Sequence, residues 1–441
     1  ILLKNTHNLR ICIFCCNFVA RIESITYNMQ QQELIERKQY MQQLRSLKDQ
    51  NVIKVISGVR RCGKSTLLMM FAEELIQSGV DRKQIQFYNF EDLDTLAIGD
   101  IYQIHTYIKE RLVDDKPNYI FLDEIQNVAE FQRLVDSLYI KPNVDVYITG
   151  SNAYLLSGEL ATLLTGRYIE INILPLQFAE YYQFMLSKSP NLSKQEILAN
   201  FIHYGGIPEY NKQLNISEKQ ADLFAQSVLK TIVEKDIFQR LNITNKHDFN
   251  KIIDFVFDSV GSYVSPRSIS DTLRSNGTII DKQTVAKYLD ALCEAYLIYK
   301  VPRFEIKGKG LLQTLNKYYV VDPCFAKVRL KKAILKDRSH WLENMVYLEL
   351  LRQNKEVFIG KRHNLEVDFV AIDYNDYTSY YQVAWTTENA DTLERELASL
   401  KAIKDSTPKY LLTTDVDFNP VYDGIRKLNV IDWMLNNSMN N

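Results

Sequence analysis

Glycine and proline are scarce in this chain, 15 and 10 of 441 residues, which excludes a long flexible linker or a low-complexity tract. Cysteine is scarce as well. Of the six, Cys12, Cys15 and Cys16 crowd the amino terminus, while Cys62, Cys293 and Cys324 lack the spacing of a metal site or a disulfide framework; a reducing, cytoplasmic setting fits. Net charge is nearly absent at −1, so whole-molecule attraction to nucleic acid is not expected and basic patches must be sought locally. The apolar stretch Ile11 to Ala20 is broken by Asn17 and is too short to cross a bilayer, so no membrane partner is expected. Residues 1–28 open on Ile and show no small-residue cleavage site of a secretory signal; they read as an upstream extension, with Met29 as the natural start.

What remains is the composition of a soluble globular protein, 46% hydrophobic and 24% charged, at a length that suggests two or three domains. The chain is organised around one stretch, Val52 to Leu68. A β-branched run ends at Gly58, and Gly63-Lys64-Ser65 follows at the spacing G-x-x-x-x-G-K-[ST], opening an amphipathic helix that is expected to reach about Gln77. That is a phosphate-binding loop. Gly58, Val59, Arg60, Arg61, Cys62, Gly63, Lys64, Ser65 and Thr66 supply backbone N–H groups that curl around a phosphate at a helix N-terminus. Lys64 would reach the β- and γ-phosphates of ATP, and Ser65 would ligate Mg²⁺. Cys62 occupies a variable position of the loop, where many residue types are tolerated.

After a second strand at Ile85 to Phe90 and a helical segment from about Ile98 to Asp114, Tyr119-Ile120-Phe121-Leu122 runs into Asp123-Glu124. Asp123 would hold Mg²⁺ through water, and Glu124 would polarise the water that attacks the γ-phosphate. The intervening strand leaves room between loop and carboxylate for a catalytic Glu. A fourth strand, Val144 to Thr149, leads to Gly150-Ser151-Asn152, small polar residues placed to sense the γ-phosphate or simply to form a turn. Arg167, before a fifth strand at Tyr168 to Ile173, has two open readings. It stabilises transition-state charge, in cis or from a neighbouring subunit, or it forms a surface salt bridge.

Together with the phosphate loop, four further runs carry a family resemblance: Phe121-Leu122-Asp123-Glu124-Ile125-Gln126, Thr149-Gly150-Ser151-Asn152, Gly166-Arg167 and Leu174-Pro175-Leu176-Gln177-Phe178-Ala179-Glu180. The chain from Met29 onward resembles the prokaryotic AAA-type ATPases whose carboxyl half is a domain of unknown function, relatives of the archaeal ATPases and, more distantly, of the signal-transducing STAND group. The resemblance implies an α/β P-loop NTPase fold with an AAA+-like parallel sheet in the order 5-1-4-3-2, then a helical lid and two small carboxyl-terminal domains.

The expected boundaries are 29–175 for the ATPase domain, 176–247 for lid and connector, 248–314 for a winged helix, and 315–441 for a nuclease-like domain. In the lid, Tyr181, Tyr182 and Phe184 at helical spacing read as core, and Tyr204-Gly205-Gly206-Ile207-Pro208-Glu209 as a break. Three helices and a hairpin from Asp248 to Arg303 resemble a winged helix-turn-helix, with Gln283, Thr284 and Lys287 facing outward on the third helix. Between Lys300 and Arg338 the basic residues exceed the acidic by eight, with Phe304, Tyr318 and Tyr319 interleaved. Double-stranded DNA contact is one reading; protein docking or subunit packing, including a homo-oligomer, is the other.

From Trp341 onward the order helix, three strands, helix, strand is similar to the restriction-endonuclease-like fold, with Glu343 and Asp368 as the first two acids. Where those nucleases carry an acid, one residue, then Lys, this chain reads Gln382-Val383-Ala384, so the domain is expected to be inactive. The functional expectation is a cytoplasmic Mg²⁺-dependent ATPase whose nucleotide state controls its carboxyl half. The alternatives are a nucleotide-gated DNA-binding regulator with little turnover and an ATP-regulated nuclease.

Overall fold

The computed structural model describes residues 34–151, 166–214, 217–308, 310–331, 338–417 and 420–437; Met29, Asn152 and Lys309 lie outside them. Helix α1 (Lys38–Leu47) precedes β1 (Ile53–Ser57), whose five residues are all buried. Helix α2 (Lys64–Gln77) follows the loop and ends where the sequence predicts. Then come β2 (Ile85–Asn89), α3 (Ile101–Lys109), β3 (Asn118–Asp123), α4 (Phe131–Tyr139), β4 (Val144–Thr149) and β5 (Tyr168–Asn172). The five strands are parallel in the order β2-β3-β4-β1-β5, as the resemblance implies.

Alternation along the strands explains the two layers, since successive side chains face opposite sides of a sheet. Ile53, Val55, Ile120, Leu122, Val146 and Ile148 pack under α3 and α4, while Ile56, Phe121 and Tyr147 pack under α2 against Phe71. The register pairs Asn89 with Asp123, Ile56 with Thr149, and Ser57 with Asn172. All the strand ends that carry chemistry therefore lie on one edge of the sheet.

The next segment is helical: α5 (Phe178–Lys188), α6 (Lys194–Tyr204), α7 (Pro208–Leu214) and α8 (Glu218–Thr231), which runs without a break into a π-helical turn over Ile232–Gln239. Tyr181 and Phe184 are buried and Tyr182 is partly buried against the same core. The Gly205-Gly206 break has a physical cause. Gly205 holds φ +73°, and a Cβ there would stand 1.8 Å from Asp322 Oδ1, while Gly206 N–H donates to Asp322 Oδ2 at 2.7 Å.

Three helices, α9 (Lys246–Asp258), α10 (Pro266–Ser275) and α11 (Lys282–Glu294), precede a hairpin of β7 (Ile298–Glu305) and β8 (Gly310–Val320), with the short β6 (Tyr263–Val264) pairing onto β8. After α12 (Pro323–Leu330) and α13 (Arg338–Gln353) come β9 (Glu356–Arg362), β10 (Leu365–Ile372), β11 (Thr378–Val383), α14 (Ala390–Lys401) and β12 (Lys409–Thr413). The chain closes with β13 (Val421–Tyr422), β14 (Ile425–Asn429) and α15 (Val430–Asn437), which sequence reasoning left unread.

The hairpin is not a separate wing. Strand β7 pairs in parallel with β9 through Arg303 with Ile359, Phe304 with Gly360 and Glu305 with Lys361, giving one sheet in the order β13-β14-β12-β11-β10-β9-β7-β8-β6. The boundary expected between 314 and 315 consequently falls inside β8. An unpaired β7 edge would leave backbone N–H and C=O groups unsatisfied, and β9 covers them.

The basic excess of 300–338 is also redistributed by folding. Lys317 pairs with Glu343 at 2.9 Å and Glu366 at 2.7 Å, Lys327 with Glu218 at 2.8 Å and Asp222 at 2.7 Å, and Arg329 with Asp254 at 2.6 Å. Three of the eleven basic residues of this stretch are thus held in ion pairs with acids from elsewhere in the fold. One apolar core joins all these units, running from Phe71 through Phe178, Phe249 and Tyr319 to Trp433.

Candidate nucleotide-binding site

The carboxyl edge of the parallel sheet opens into a cavity of about 1120 Å³ roofed by the lid helices. Its walls include Arg60, Lys64, Ser65 and Glu124 from the sheet side, and Pro208, Phe224 and Asp236 from the lid side. Gly58 must be glycine: it holds φ +138°, and a Cβ would stand 2.2 Å from the Ile173 carbonyl oxygen of the neighbouring strand end. Gly63, at φ +105°, is the N-cap of α2, so the helix N-terminus faces the cavity with its unsatisfied N–H groups.

Within the loop, Val59 and Cys62 turn their side chains into the core, so they can serve a ligand only through the backbone. The Cys62 N–H is engaged in a turn with Val59 O at 3.3 Å. Burial pushes the Cys62 thiol upward in pKa, which makes it a small apolar group at ordinary pH. Arg61, at φ +68°, is exposed at the loop tip, and Thr66 lines the cavity. Lys64 Nζ donates to the carbonyls of Gly58 at 3.0 Å and Val59 at 3.2 Å and lies 3.8 Å from Glu124 Oε1.

Ser65 Oγ donates to Asp123 Oδ1 at 3.0 Å, and Thr149 Oγ1 donates to the same oxygen at 2.6 Å. Asp123 Oδ2 is buried with no hydrogen-bond partner among the described residues. Burial, the dominant cause, raises this carboxyl to about 6 against the opposing pull of the Thr149 bond. A buried carboxylate oxygen without a donor, next to a serine hydroxyl and beside a helix N-terminus, is a donor set that suits Mg²⁺. Ser65 and Asp123 are the residues that would hold it.

Glu124 follows at φ 51°, the left-handed region that a residue with a Cβ seldom enters. Its N–H donates to Thr149 Oγ1 at 2.8 Å, and its carboxylate accepts from Gln126 Nε2. The backbone kink turns the Glu124 side chain out of the strand direction and into the cavity wall. Ser151 is buried just past β4, its hydroxyl without a hydrogen-bond partner among the described residues; Asn152 lies outside them.

Of the two readings open for Arg167, the structure shows the surface salt bridge. Arg167 precedes the first residue of β5, whereas the phosphate loop follows the last residue of β1, and these strands run parallel with Ile53 opposite Tyr168. Five residues of strand at about 3.3 Å each put roughly 16 Å between the two ends. Its guanidinium instead pairs with Asp136 and stands over the Tyr139 ring on α4. A cis role at the same chain's phosphate is therefore excluded by strand direction.

Sequence reasoning missed three residues. Thr149 ends the strand beside the acidic one, and a hydroxyl at that place is a readable signal. Arg37 is fully buried and fixes the loop from behind, donating to Cys62 O at 3.1 Å, Leu174 O at 2.8 Å and Glu180 Oε1 at 3.0 Å. Asp236 is buried in the π-helical turn and pairs with Arg60. Neither gives a local sequence signal, because their partners are distant in the chain.

The chain is similar to known proteins over most of its length. A family model described as an AAA domain matches residues 50–182, and one described as a domain of unknown function matches 195–333. An uncharacterized protein of Haemophilus influenzae is 37% identical over 404 residues, covering 91% of this chain and 99% of its own. An uncharacterized protein of Methanocaldococcus jannaschii is 30% identical over 394 residues, covering 87% and 85%. Among solved structures, a Walker-type ATPase of Pyrococcus abyssi aligns at 17% identity over 67% of this chain and 96% of that one, with a TM-score of 0.45. The chain belongs to the family of these prokaryotic relatives, AAA-type P-loop NTPases whose carboxyl half is a domain of unknown function.

Proposed function

We propose that the protein is a Mg²⁺-dependent ATPase whose nucleotide state sets the arrangement of its carboxyl half. The observation that carries this reading is the orphaned Asp123 Oδ2, buried beside Ser65 at the floor of a cavity that Lys64 and Glu124 share. The loop amides and Lys64 would bind the phosphates of ATP or ADP, Ser65 and Asp123 would position Mg²⁺, and Glu124 would orient the attacking water. Ser151, with Asn152, would report the γ-phosphate. Any catalytic part for Arg167 would be in trans, across a homo-oligomer contact, since its own phosphate loop is at the other end of the sheet.

The second reading is nucleotide-gated binding of double-stranded DNA by a winged helix formed by α9 to α11 and the hairpin. Its support is the exposure of Lys282, Gln283 and Lys287 on α11; Thr284 is half-buried and bonded to Asp281. The ion pairs of Lys317, Lys327 and Arg329 weaken the part assigned to the basic stretch. For the nuclease-like domain, inactivity is the favoured reading. Glu343 is occupied by Lys317 and by the Tyr319 hydroxyl, and Asp368 Oδ2 accepts from Val383 N–H at 2.8 Å.

Steady-state ATP hydrolysis by the full chain with Mg²⁺, with and without duplex DNA at fixed salt, tests all three. Turnover that ignores DNA supports the ATPase alone, and stimulation by DNA joins the second reading to it. Absence of turnover with intact ATP binding favours the regulator, and metal-dependent DNA cleavage would overturn the inactive assignment.

A further inference from the structure

Arg60 lies two positions past Gly58, on the rim of the phosphate loop, yet its fork is not turned toward the loop. Its Nε and one terminal nitrogen donate to the two oxygens of Asp236 at 2.7 and 3.0 Å, and the other terminal nitrogen donates to Glu91 at 2.9 Å. Asp236 is buried in the π-helical turn Ile232–Gln239, which ends the lid. From the residue that caps this turn, Arg240 Nε donates back to the Asp236 carbonyl at 2.8 Å, and another of its nitrogens donates to Glu294, the last residue of α11, at 2.7 Å. One continuous set of bonds thus runs from the phosphate loop, through the lid's irregular turn, to the third helix of the carboxyl half.

Three physical points make this set a switch rather than a brace. A guanidinium fork binds one carboxylate or one phosphate in bidentate fashion, not both with the same pair of N–H groups. Arg60 and Asp236 line the cavity that Lys64, Ser65 and Glu124 line, so a triphosphate would arrive within the same space and compete for the same donors. The π-helical turn interrupts the α-helical register that leads into it, an irregularity that is rare in helices and recurs at functional sites.

We propose that Arg60 exchanges Asp236 for the terminal phosphate of ATP, so that the π-helical turn, and through Arg240 the end of α11, distinguishes triphosphate from diphosphate. This rests on the ATP reading above and names the regulation of that site. Arg60 would touch the nucleotide; Asp236, Arg240 and Glu294 act through it and are positioning residues. With ADP, Arg60 stays on Asp236 and the lid turn is held; with ATP, the turn is released and α11 loses its anchor.

The test is hydrogen exchange on the full chain with saturating Mg²⁺ and, in turn, ADP and a non-hydrolysable ATP analogue. Amides of 232–240 are expected to exchange about tenfold faster with the analogue than with ADP, and the last turn of α11 to follow. Asp236→Asn frees Arg60 in advance, so the preference for the analogue over ADP should rise about tenfold while the exchange difference disappears. Glu294→Gln, away from the cavity, should keep the response of 232–240 and abolish that of α11. Equal exchange with both nucleotides bound, or an unchanged preference in a folded Asp236→Asn variant, would overturn the proposal alone. If neither nucleotide binds, the ATP reading fails and takes this proposal with it.

Discussion

Thr149 donates its hydroxyl to Asp123 at 2.6 Å, and with its lone pair it receives the N–H of Glu124 at 2.8 Å. One side chain therefore fixes both acidic residues: it occupies Asp123 Oδ1, leaving Oδ2 for a cation, and it holds Glu124 in its left-handed turn. Thr149→Val keeps the shape and removes both bonds. The expected outcome is a kcat lower by about tenfold or more with weakened Mg²⁺ dependence, restored by Thr149→Ser. Unchanged kinetics in the valine variant would reject this role.

The carboxyl of Asp123 titrates near 6 in the free protein, above its ordinary value of 3.8, because it is buried. Between those values the folded state holds a proton that the unfolded chain releases, so this group's contribution to stability is present at low pH and is lost as pH rises through about 6. Mg²⁺ must displace the same proton. Calorimetric titration of Mg·ADP should show affinity falling as pH drops below 6, with up to about one proton released per site, and no such dependence above pH 7. Proton uptake on binding would contradict the assignment.

Lys64→Ala removes the ammonium that bridges the loop carbonyls and Glu124, and nucleotide binding should be abolished in equilibrium dialysis. Glu124→Gln should retain ATP while turnover drops by about 10²-fold or more, the scale of a lost general base. Normal hydrolysis by the glutamine variant would remove Glu124 from the reaction.

Gly205→Ala places a methyl group 1.8 Å from Asp322 Oδ1 at a residue with φ +73°. A loss of about 2–4 kcal/mol is expected in urea denaturation, since both strain and a displaced buried carboxylate contribute. A substitution within about 0.5 kcal/mol of the parent would show that the turn can relax.

Lys317→Met leaves the buried Glu343 and the half-buried Glu366 without their cation. The cost should be about 3–5 kcal/mol, partly recovered when Glu343→Gln is added, because an unpaired buried charge is worse than none. Neither variant should cleave DNA with Mg²⁺ or Mn²⁺. Cleavage gained on removing Lys317 would mean that the nuclease-like acids are still competent.

The phosphate loop, its strand and helix, and the strand with Asp123 and Glu124 were legible because each is written in local spacing or period; the sheet order came only with the family resemblance. The length of α2, ending at Gln77, shows how far local pattern reaches. What was not legible depends on partners far away in sequence. Arg37 gives no sign that it will meet Glu180 and the Cys62 carbonyl, and Lys317 gives none that it will be enclosed by Glu343 and Glu366. The two readings of Arg167 stayed open for a related reason: only the direction of β5 decides which end of the sheet it occupies. The position 314–315 lies inside β8, and no local period announces the β7–β9 pairing that ties the hairpin to the following strands.

That same pairing sets an order of events during synthesis. Strands β7 and β8 are joined by a tight hairpin and can zip as soon as both have left the ribosome, but the outer edge of β7 stays bare until Glu356–Arg362 has emerged. In that interval the nascent chain offers an open strand edge, flanked by apolar Val301 and Phe304, to any neighbour on the same message. A chain that stalls or is cut between α12 and β9 would carry that edge permanently. Its fate is then decided by chaperones and by self-association, not by the stability of the finished fold.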